Sequence, residues 1–327
     1  MNDWNDAEHR VEKAQELYAQ HKWQEALDEL RAAIEINPYN GAWQFNLGLV
    51  LDELERFEEA VEAFSTAAEL EPNDLEVLQH LGIDLARTGR FAEALKQFER
   101  IESLDASYES SYCHRILVYT EMGEHEKAEE MFYLARQWRE HCPQCYFNIG
   151  LSLYDRKLYD KAIWCWQKTL DLDGEFPEVH VNIARALWEK GELEKARQHF
   201  VEEIRDNPGD THTLLDLGNL LREMGRFDEA GEKYRRAVEL TPDEAAAHYF
   251  NGLWLLQANR GEEAEQSMKR ALALDPTLAG AHLQLAMIHL RRGDKPGARK
   301  HLRAEIQLHP EDPQMLLELG NALMDTG

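Results

Sequence analysis

Two cysteines near the middle of the chain stand at a spacing that could support chemistry. The segment C-P-Q-C begins at Cys142 and ends at Cys145, which places two thiols close together. Pairs of this kind bind zinc or cycle between a dithiol and a disulfide. Cys113, His114 and His141 are possible additional ligands if the fold brings them to this turn.

The surrounding sequence favours a simpler interpretation of these thiols. There is no second cysteine pair at zinc-finger spacing, and no alternation of strands and helices typical of a thioredoxin-like site. Pro143 is also a residue that the first turn of a helix favours. We therefore expect structural or incidental thiols, with metal binding and redox switching as the less favoured alternatives, and we predict no cofactor. Four cysteines in 327 residues are not a disulfide framework, so reduced thiols are expected.

The elements that carry these residues follow a strict period. An alanine recurs every 34 residues, at Ala26, Ala60, Ala94, Ala128, Ala162, Ala196, Ala230, Ala264 and Ala298. A fixed period of this length indicates one supersecondary unit that has been copied and stacked.

The period divides the chain into nine full units and part of a tenth. After a lead-in at 1–6, the units are 7–40, 41–74, 75–108, 109–142, 143–176, 177–210, 211–244, 245–278 and 279–312. Residues 313–327 are predicted to form helix A of a tenth, truncated unit or a cap. Each unit reads as two helical stretches, A and B, separated by a turn and usually closed by a proline.

The pattern within the units resembles the tetratricopeptide repeat (TPR). The second unit carries it almost complete, with Leu47, Gly48, Leu51, Ala60, Phe64, Ala67 and Pro72. The resemblance implies an all-α, right-handed α-solenoid of antiparallel helix pairs, with about nine and a half units and no strands. It also implies that the A helices line a groove.

A small residue at the eighth position of each unit is expected to let helix A approach helix B. Gly48 and Gly82 are examples, whereas Ile116 fills this position in the fourth unit and should widen that helix pair. A large residue on helix B, such as Phe64 or Phe98, should then pack against the next unit.

The positions of helix A that would face the groove yield a candidate binding surface in units five to eight. Positions 2, 5, 6, 9, 12 and 13 form one stripe at helical spacing. The predicted partner-binding residues are Phe147, Asn148, Leu151, Tyr154, Asn182, Arg185, Trp188, Asn219, Arg222 and Tyr249. For the aliphatic positions, lateral packing against the neighbouring A helix is the alternative.

The net charge of the chain and the position of its acidic residues limit the kinds of partner that it is expected to bind. The formal net charge is −26, and no basic stretch with interleaved aromatic residues offsets it, so nucleic acid is an unsuitable partner. Position 13 is acidic in several units, for example at Glu53, Glu121 and Glu223. These acids form either a solvated face or a rim that attracts a basic amphipathic segment. No signal peptide or membrane-spanning run is recognised, so a cytoplasmic protein without membrane insertion is expected.

These features predict a non-catalytic scaffold that binds a peptide or amphipathic helix of another protein. No HExxH sequence, phosphate-binding glycine loop or nucleophile elbow is found. The alternatives are the recognition arm of an enzyme whose catalytic domain lies outside this chain, and a self-associating structural module. The apolar helix in 313–327 favours self-association, because terminal repeats normally present a polar face. The residues of a chaperone-tail carboxylate clamp are not found in any three consecutive units.

Overall fold

A computed structural model describes residues 2–139 and 141–308, together with Asn321 and Met324. Within this part of the chain every regular element is a helix. The predicted helix at 313–327, and with it the predicted self-association, lies outside the described residues except at those two positions. No helix in the described ranges combines the length and the apolar character that crossing a membrane requires.

The chain divides into two compact units, 1–179 and 180–327. The helices of the first are α1 (Asn2–Ala19), α2 (Trp23–Ile36), α3 (Gly41–Glu53), α4 (Phe57–Leu70), α5 (Leu75–Arg87), α6 (Phe91–Leu104), α7 (Glu109–Glu121), α8 (His125–Trp138), α9 (Pro143–Asp155) and α10 (Tyr159–Leu172). Those of the second are α11 (Val179–Glu189), α12 (Leu193–Asp206), α13 (Thr211–Glu223), α14 (Phe227–Leu240), α15 (Ala245–Gln257), α16 (Gly261–Leu274), α17 (Ala281–Arg291) and α18 (Lys295–Leu308).

Odd-numbered helices are the A helices and even-numbered helices the B helices of the repeats. Several A helices begin after a side-chain cap, as where Asp74 accepts hydrogen bonds from the backbone N–H groups of Glu76 and Val77. Helix α1 begins at Asn2, so the predicted lead-in is continuous with it. The Trp4 ring lies 6.0 Å from that of Trp43, which anchors this first turn to α3.

The turn between helices A and B always contains a left-handed residue at position 15. Glycine fills it in five repeats, with φ between 72° and 76°, as at Gly89. The other four repeats place His21, Glu55, Lys157 and Asn259 there, with φ of 57° or 58°. A side chain at positive φ is strained by contact between its Cβ and the backbone.

We predict that replacing Lys157 with glycine stabilises the protein. Relief of the left-handed strain should outweigh the greater freedom of glycine in the unfolded chain, for a net gain of roughly 0.5–1 kcal/mol. Urea unfolding checks this against Lys161→Gly, within helix α10, which should lose about 1 kcal/mol. Equal losses in both variants would mean that position 157 carries no strain.

The two helices of a repeat meet through position 8. A Cβ atom added to Gly82 would lie 2.7 Å from Cε1 of Phe98, so only a small residue fits there. The aromatic side chain is fully buried in five repeats, at Phe64, Phe98, Trp166, Phe200 and Tyr234. Its counterpart in the fourth repeat, opposite Ile116, is Phe132, which is 8% exposed. The aromatic residue is thus slightly less buried in the repeat where the larger Ile116 fills position 8.

Candidate interaction surface on the A helices

The A-helix surface of the first compact unit contains a cavity of about 520 Å³. Residues of α5, α6 and α7 line it, with Ile83, Phe98 and Leu117 providing apolar walls. Arg87 and Glu121, both exposed, add one charge of each sign. A space of this size and lining could accommodate an apolar side chain of a partner.

His114 in the cavity wall is held in its neutral form. Its ring stacks on that of Phe98 at a centroid distance of 5.5 Å. Burial, with smaller contributions from His80 and Arg87, lowers the pKa of His114 to about 4. At neutral pH the imidazole therefore contributes a polar but uncharged surface.

Next to this cavity lies a buried carboxylate. Asp84 is 1% exposed and accepts a hydrogen bond from Nη1 of Arg87 at 3.1 Å, while its Oδ2 finds no partner among the described residues. Arg87 also forms an ion pair with Asp52 of the preceding repeat. Burial raises the pKa of Asp84 to about 6, with a smaller contribution from Asp52, against the opposing effect of Arg87.

Because the pKa of Asp84 is raised, we predict that Asp84→Asn changes the free energy of unfolding by an amount that depends on pH. The folded chain binds this proton more tightly than the unfolded chain, so wild-type stability falls as pH rises from the ordinary pKa of 3.8 to about 6. Above that interval the asparagine variant should be more stable by about 1–2 kcal/mol, because it buries no charge. Urea unfolding at neutral and acidic pH measures the difference.

Near pH 4 the advantage of Asp84→Asn should vanish, since the wild-type carboxyl group is then largely protonated. Asp52→Asn is the matched control, because it removes the other acidic partner of Arg87 and should cost no more than about 1 kcal/mol. A loss of stability in Asp84→Asn at neutral pH would show that the Arg87 ion pair outweighs the desolvation.

Polar side chains on the A helices pair between successive repeats. In the first compact unit, the Tyr18 hydroxyl donates to Oε1 of Glu53 at 3.2 Å. In the second, Nε1 of Trp188 donates to Oε2 of Glu223 at 2.7 Å. In both cases an aromatic residue at position 12 holds the acid at position 13 of the next repeat. These two acids are thus oriented by the protein as well as being solvated.

The predicted binding residues on α9 lie at different depths. Phe147 is 9% exposed and its ring lies 5.2 Å from that of Phe176. Asn148 is 1% exposed, and its Nδ2 donates to the backbone oxygen of Cys113 at 2.7 Å. Leu151 and Tyr154 are half-buried. Among the predicted binding residues on α9, Leu151 and Tyr154 are therefore the accessible ones.

The second compact unit holds the remaining predicted residues. Arg185 and Arg222 are exposed, and the Arg185 guanidinium pairs with Asp216 at 2.8 Å. Half-buried positions are taken by Asn182, Trp188, Asn219 and Tyr249. The structure thus divides the predicted surface between the two compact units, with an accessible set in each.

The cysteine segment forms a cluster with Cys113, and one pair is oxidised. Cys113 and Cys145 are joined by a disulfide with a Cα–Cα distance of 5.0 Å, which corrects the expectation of reduced thiols. The physical reason is that helix packing brings α7 directly against the first turn of α9. Cys142 is the N-cap of α9, and its Sγ accepts a hydrogen bond from the Cys145 N–H at 3.3 Å.

The two histidines proposed as additional ligands do not join this cluster. His141 is exposed, and His114 stacks on Phe98 in the cavity wall. In the described part of the chain, the group of residues able to hold a metal is Cys113, Cys142 and Cys145.

Sequence reasoning missed Asp84 and the aromatic residues of two B helices. Asp84 interrupts an apolar stretch of α5, which is the signal that could have identified it. On the B helices, Tyr133 and Trp164 are 61% and 52% exposed and line a second cavity of about 340 Å³. They lie at positions where a solvated helix face normally carries polar residues.

Comparison with known proteins connects this repeat to a family. Two family models, both described as tetratricopeptide repeat, match the chain, one at 11–74, 147–211 and 215–279 and the other at 255–316. No match is found among curated proteins.

Solved structures of other proteins share the fold. The hetero-tetramer Cut9–Hcn1 of APC/C matches with a TM-score of 0.60 at 13% identity, covering 97% of this chain and 76% of that chain. Yeast Tom70 matches with a TM-score of 0.54 at 15% identity, covering 98% and 95%. The C-terminal part of a TPR repeat-containing protein from Cytophaga hutchinsonii gives 0.55 at 17% identity, covering 73% and 98%.

At these identities the likeness shows the fold alone. The first family model by itself covers more than half of the chain. The helical pairs, the small residue at position 8 and these matches agree: the chain belongs to the tetratricopeptide repeat family, an all-α repeat fold of the solenoid class typical of protein-interaction scaffolds.

Proposed function

We propose that this protein is a non-catalytic scaffold whose A-helix surface binds a basic, amphipathic peptide or helix of another protein. Leu49, Ile83, Leu117 and Leu151, the residues at position 9 of four successive repeats, support this most directly. All four are half-buried, so each retains apolar surface that a partner could cover. A row of such side chains at repeat spacing offers successive anchors for one extended ligand.

Charge supports a basic partner. Glu53, Glu121 and Asp155 are exposed at position 13, four residues beyond the apolar row on their own helices. Four residues is about one helical turn, so these carboxylates rise from the same side of each helix as the apolar row. Lysine or arginine side chains of a peptide whose apolar residues reach position 9 could pair with them, which would accelerate association and fix the orientation.

The apolar anchors and the exposed ion pairs are expected to contribute differently to binding. Apolar anchors buried in the cavity beside Ile83 and Leu117 should supply most of the affinity, because interface energy concentrates in a few buried contacts. Exposed ion pairs should add little affinity, while making association sensitive to salt. Asp84 is too deeply buried to contact the partner, whereas His114 lines the cavity and would present its neutral ring to it.

The test begins with selection of peptides from a random displayed library on the wild-type protein. We predict enrichment of peptides with lysine or arginine beside spaced apolar residues. The double variant Leu151→Ala and Tyr154→Ala should weaken a selected peptide at least about tenfold, since each truncated anchor costs about 1 kcal/mol or more. Isothermal titration calorimetry at low and moderate salt measures the affinities.

Trp164→Ala is the matched control for this double variant. It truncates a residue that is 52% exposed on α10, the B helix of the same repeat, and should leave the affinity unchanged. Trp188→Ala is the corresponding variant of a predicted binding residue in the second compact unit, and it should weaken peptide binding. Unchanged affinity in every A-helix variant, or enrichment of acidic peptides, would contradict the proposed function.

A further inference from the structure

Three thiols from two A helices meet at one buried point of the first compact unit. Cys113 comes from α7, whereas Cys142 and Cys145 stand at the beginning of α9. Their Sγ atoms all lie within 4.8 Å of one another, and the side chains are 3%, 6% and 1% exposed. The Sγ of Cys142 lies 3.3 Å from that of Cys113 although these two are not bonded.

The surroundings of Cys142 include groups that stabilise a thiolate and groups that oppose it. The N–H of Cys145 donates to Cys142 Sγ at 3.3 Å, and both residues stand at the positive end of the α9 helix dipole. Burial and the Glu109 carboxylate raise the pKa of Cys142, whereas the Cys145 N–H and the Arg139 guanidinium act against this rise. Backbone N–H groups directed at sulfur and nearby positive charge are features of thiolate ligands in metal sites.

We propose that these three sulfurs, once the Cys113–Cys145 bond is reduced, form a binding site for a thiophilic divalent cation of the zinc class. Opening the disulfide takes two electrons and two protons. A dithiol reductant supplies both and becomes a disulfide, whereas a phosphine supplies the electrons, is oxidised to the phosphine oxide, and the protons come from water. Binding of the cation then releases three thiol protons and leaves a net charge of about −1 at the site. The interaction does not depend on the peptide-binding function.

The donor set selects the kind of ion. Thiolates favour zinc and similar soft ions, whereas magnesium and calcium require oxygen ligands. No carboxylate or histidine joins the three cysteines within the described ranges. Three sulfurs fill three of the four positions of a tetrahedral ion, which leaves one for water or an added ligand. The bound ion would join α7 to α9 in place of the disulfide.

The experiment titrates Cd²⁺ into the full chain after reduction by a phosphine and removal of metal with a chelator. Thiolate-to-cadmium charge transfer in the ultraviolet reports binding, and we expect one equivalent per chain. Cys142→Ser should weaken binding at least about 100-fold, because loss of a direct ligand costs more than loss of its supporting hydrogen bond. Zn²⁺ in large excess should compete with Cd²⁺ for the site, because the softer Cd²⁺ binds thiolates more tightly.

Cys165→Ser is the matched control, since Cys165 is the fourth cysteine, is buried on α10 and lies outside the cluster. This variant should bind one equivalent with unchanged affinity. Absence of one-to-one binding by the reduced wild type, or equal binding by Cys142→Ser, would overturn the proposal. The unreduced protein should not bind, because two of its sulfurs are engaged in the disulfide.

A second measurement tests the proposed site even if the Cys142→Ser variant does not fold. Peptide mapping of the reduced wild-type protein after timed alkylation, with and without Cd²⁺, follows all four cysteines at once. Cd²⁺ should slow the alkylation of the three clustered cysteines and leave Cys165 unaffected. Equal slowing of all four would indicate general stabilisation of the fold and would count against the site.

Discussion

The close approach of the two helices in each repeat is the constraint on which the rest of the structure depends. A small residue at position 8 of helix A leaves room for a large side chain of helix B, as Gly48 does for Phe64. The other side of that ring then contacts the next repeat, since Phe64 lies 5.5 Å from His80 in α5. One contact thus forms the helix pair and also stacks it on its neighbour, so position 8 tolerates little change in volume.

This stacking determines which side chains stay accessible on the surface and could contact a partner. Because B-helix aromatics and the A-helix residues that meet them fill the core, the accessible side chains of the A helices recur at positions 9, 12 and 13. Apolar anchors, hydrogen-bonded aromatics and carboxylates occupy those positions in successive repeats, for example Leu117, Trp188 and Glu53. The thiol cluster and the cavity both involve α7, where Cys113 and His114 are adjacent in sequence. Under the two proposals, a change of redox state or a bound metal at the cluster would therefore act on a helix that lines the proposed binding surface.

The sequence predicted the helices well. Every repeat must form the same contact between position 8 of helix A and the large residue of helix B, and this shared requirement produces the strict period. The sequence also led to an expectation of which face of each A helix meets a ligand, but it did not indicate how deeply each position lies. Asn148 illustrates this limit, since its burial depends on how α9 packs on α7, which one repeat alone does not encode. The disulfide and the buried charge of Asp84 likewise depend on contacts between repeats. Asp84 could have been suspected from its apolar neighbours, whereas the pairing of Cys113 with Cys145 required three-dimensional proximity.

Site-specific photo-crosslinking tests most directly whether the A-helix surface is the one that binds a partner. A benzophenone-bearing residue placed at Leu117 on α7 reports on the A-helix surface, and one placed at Tyr133 on α8 reports on the exposed aromatic residues of the B helices. With a peptide selected on the wild-type protein, the account predicts a crosslinked product from position 117 and none from position 133. A product from position 133 alone would show that the B helices carry the binding site and would contradict the account.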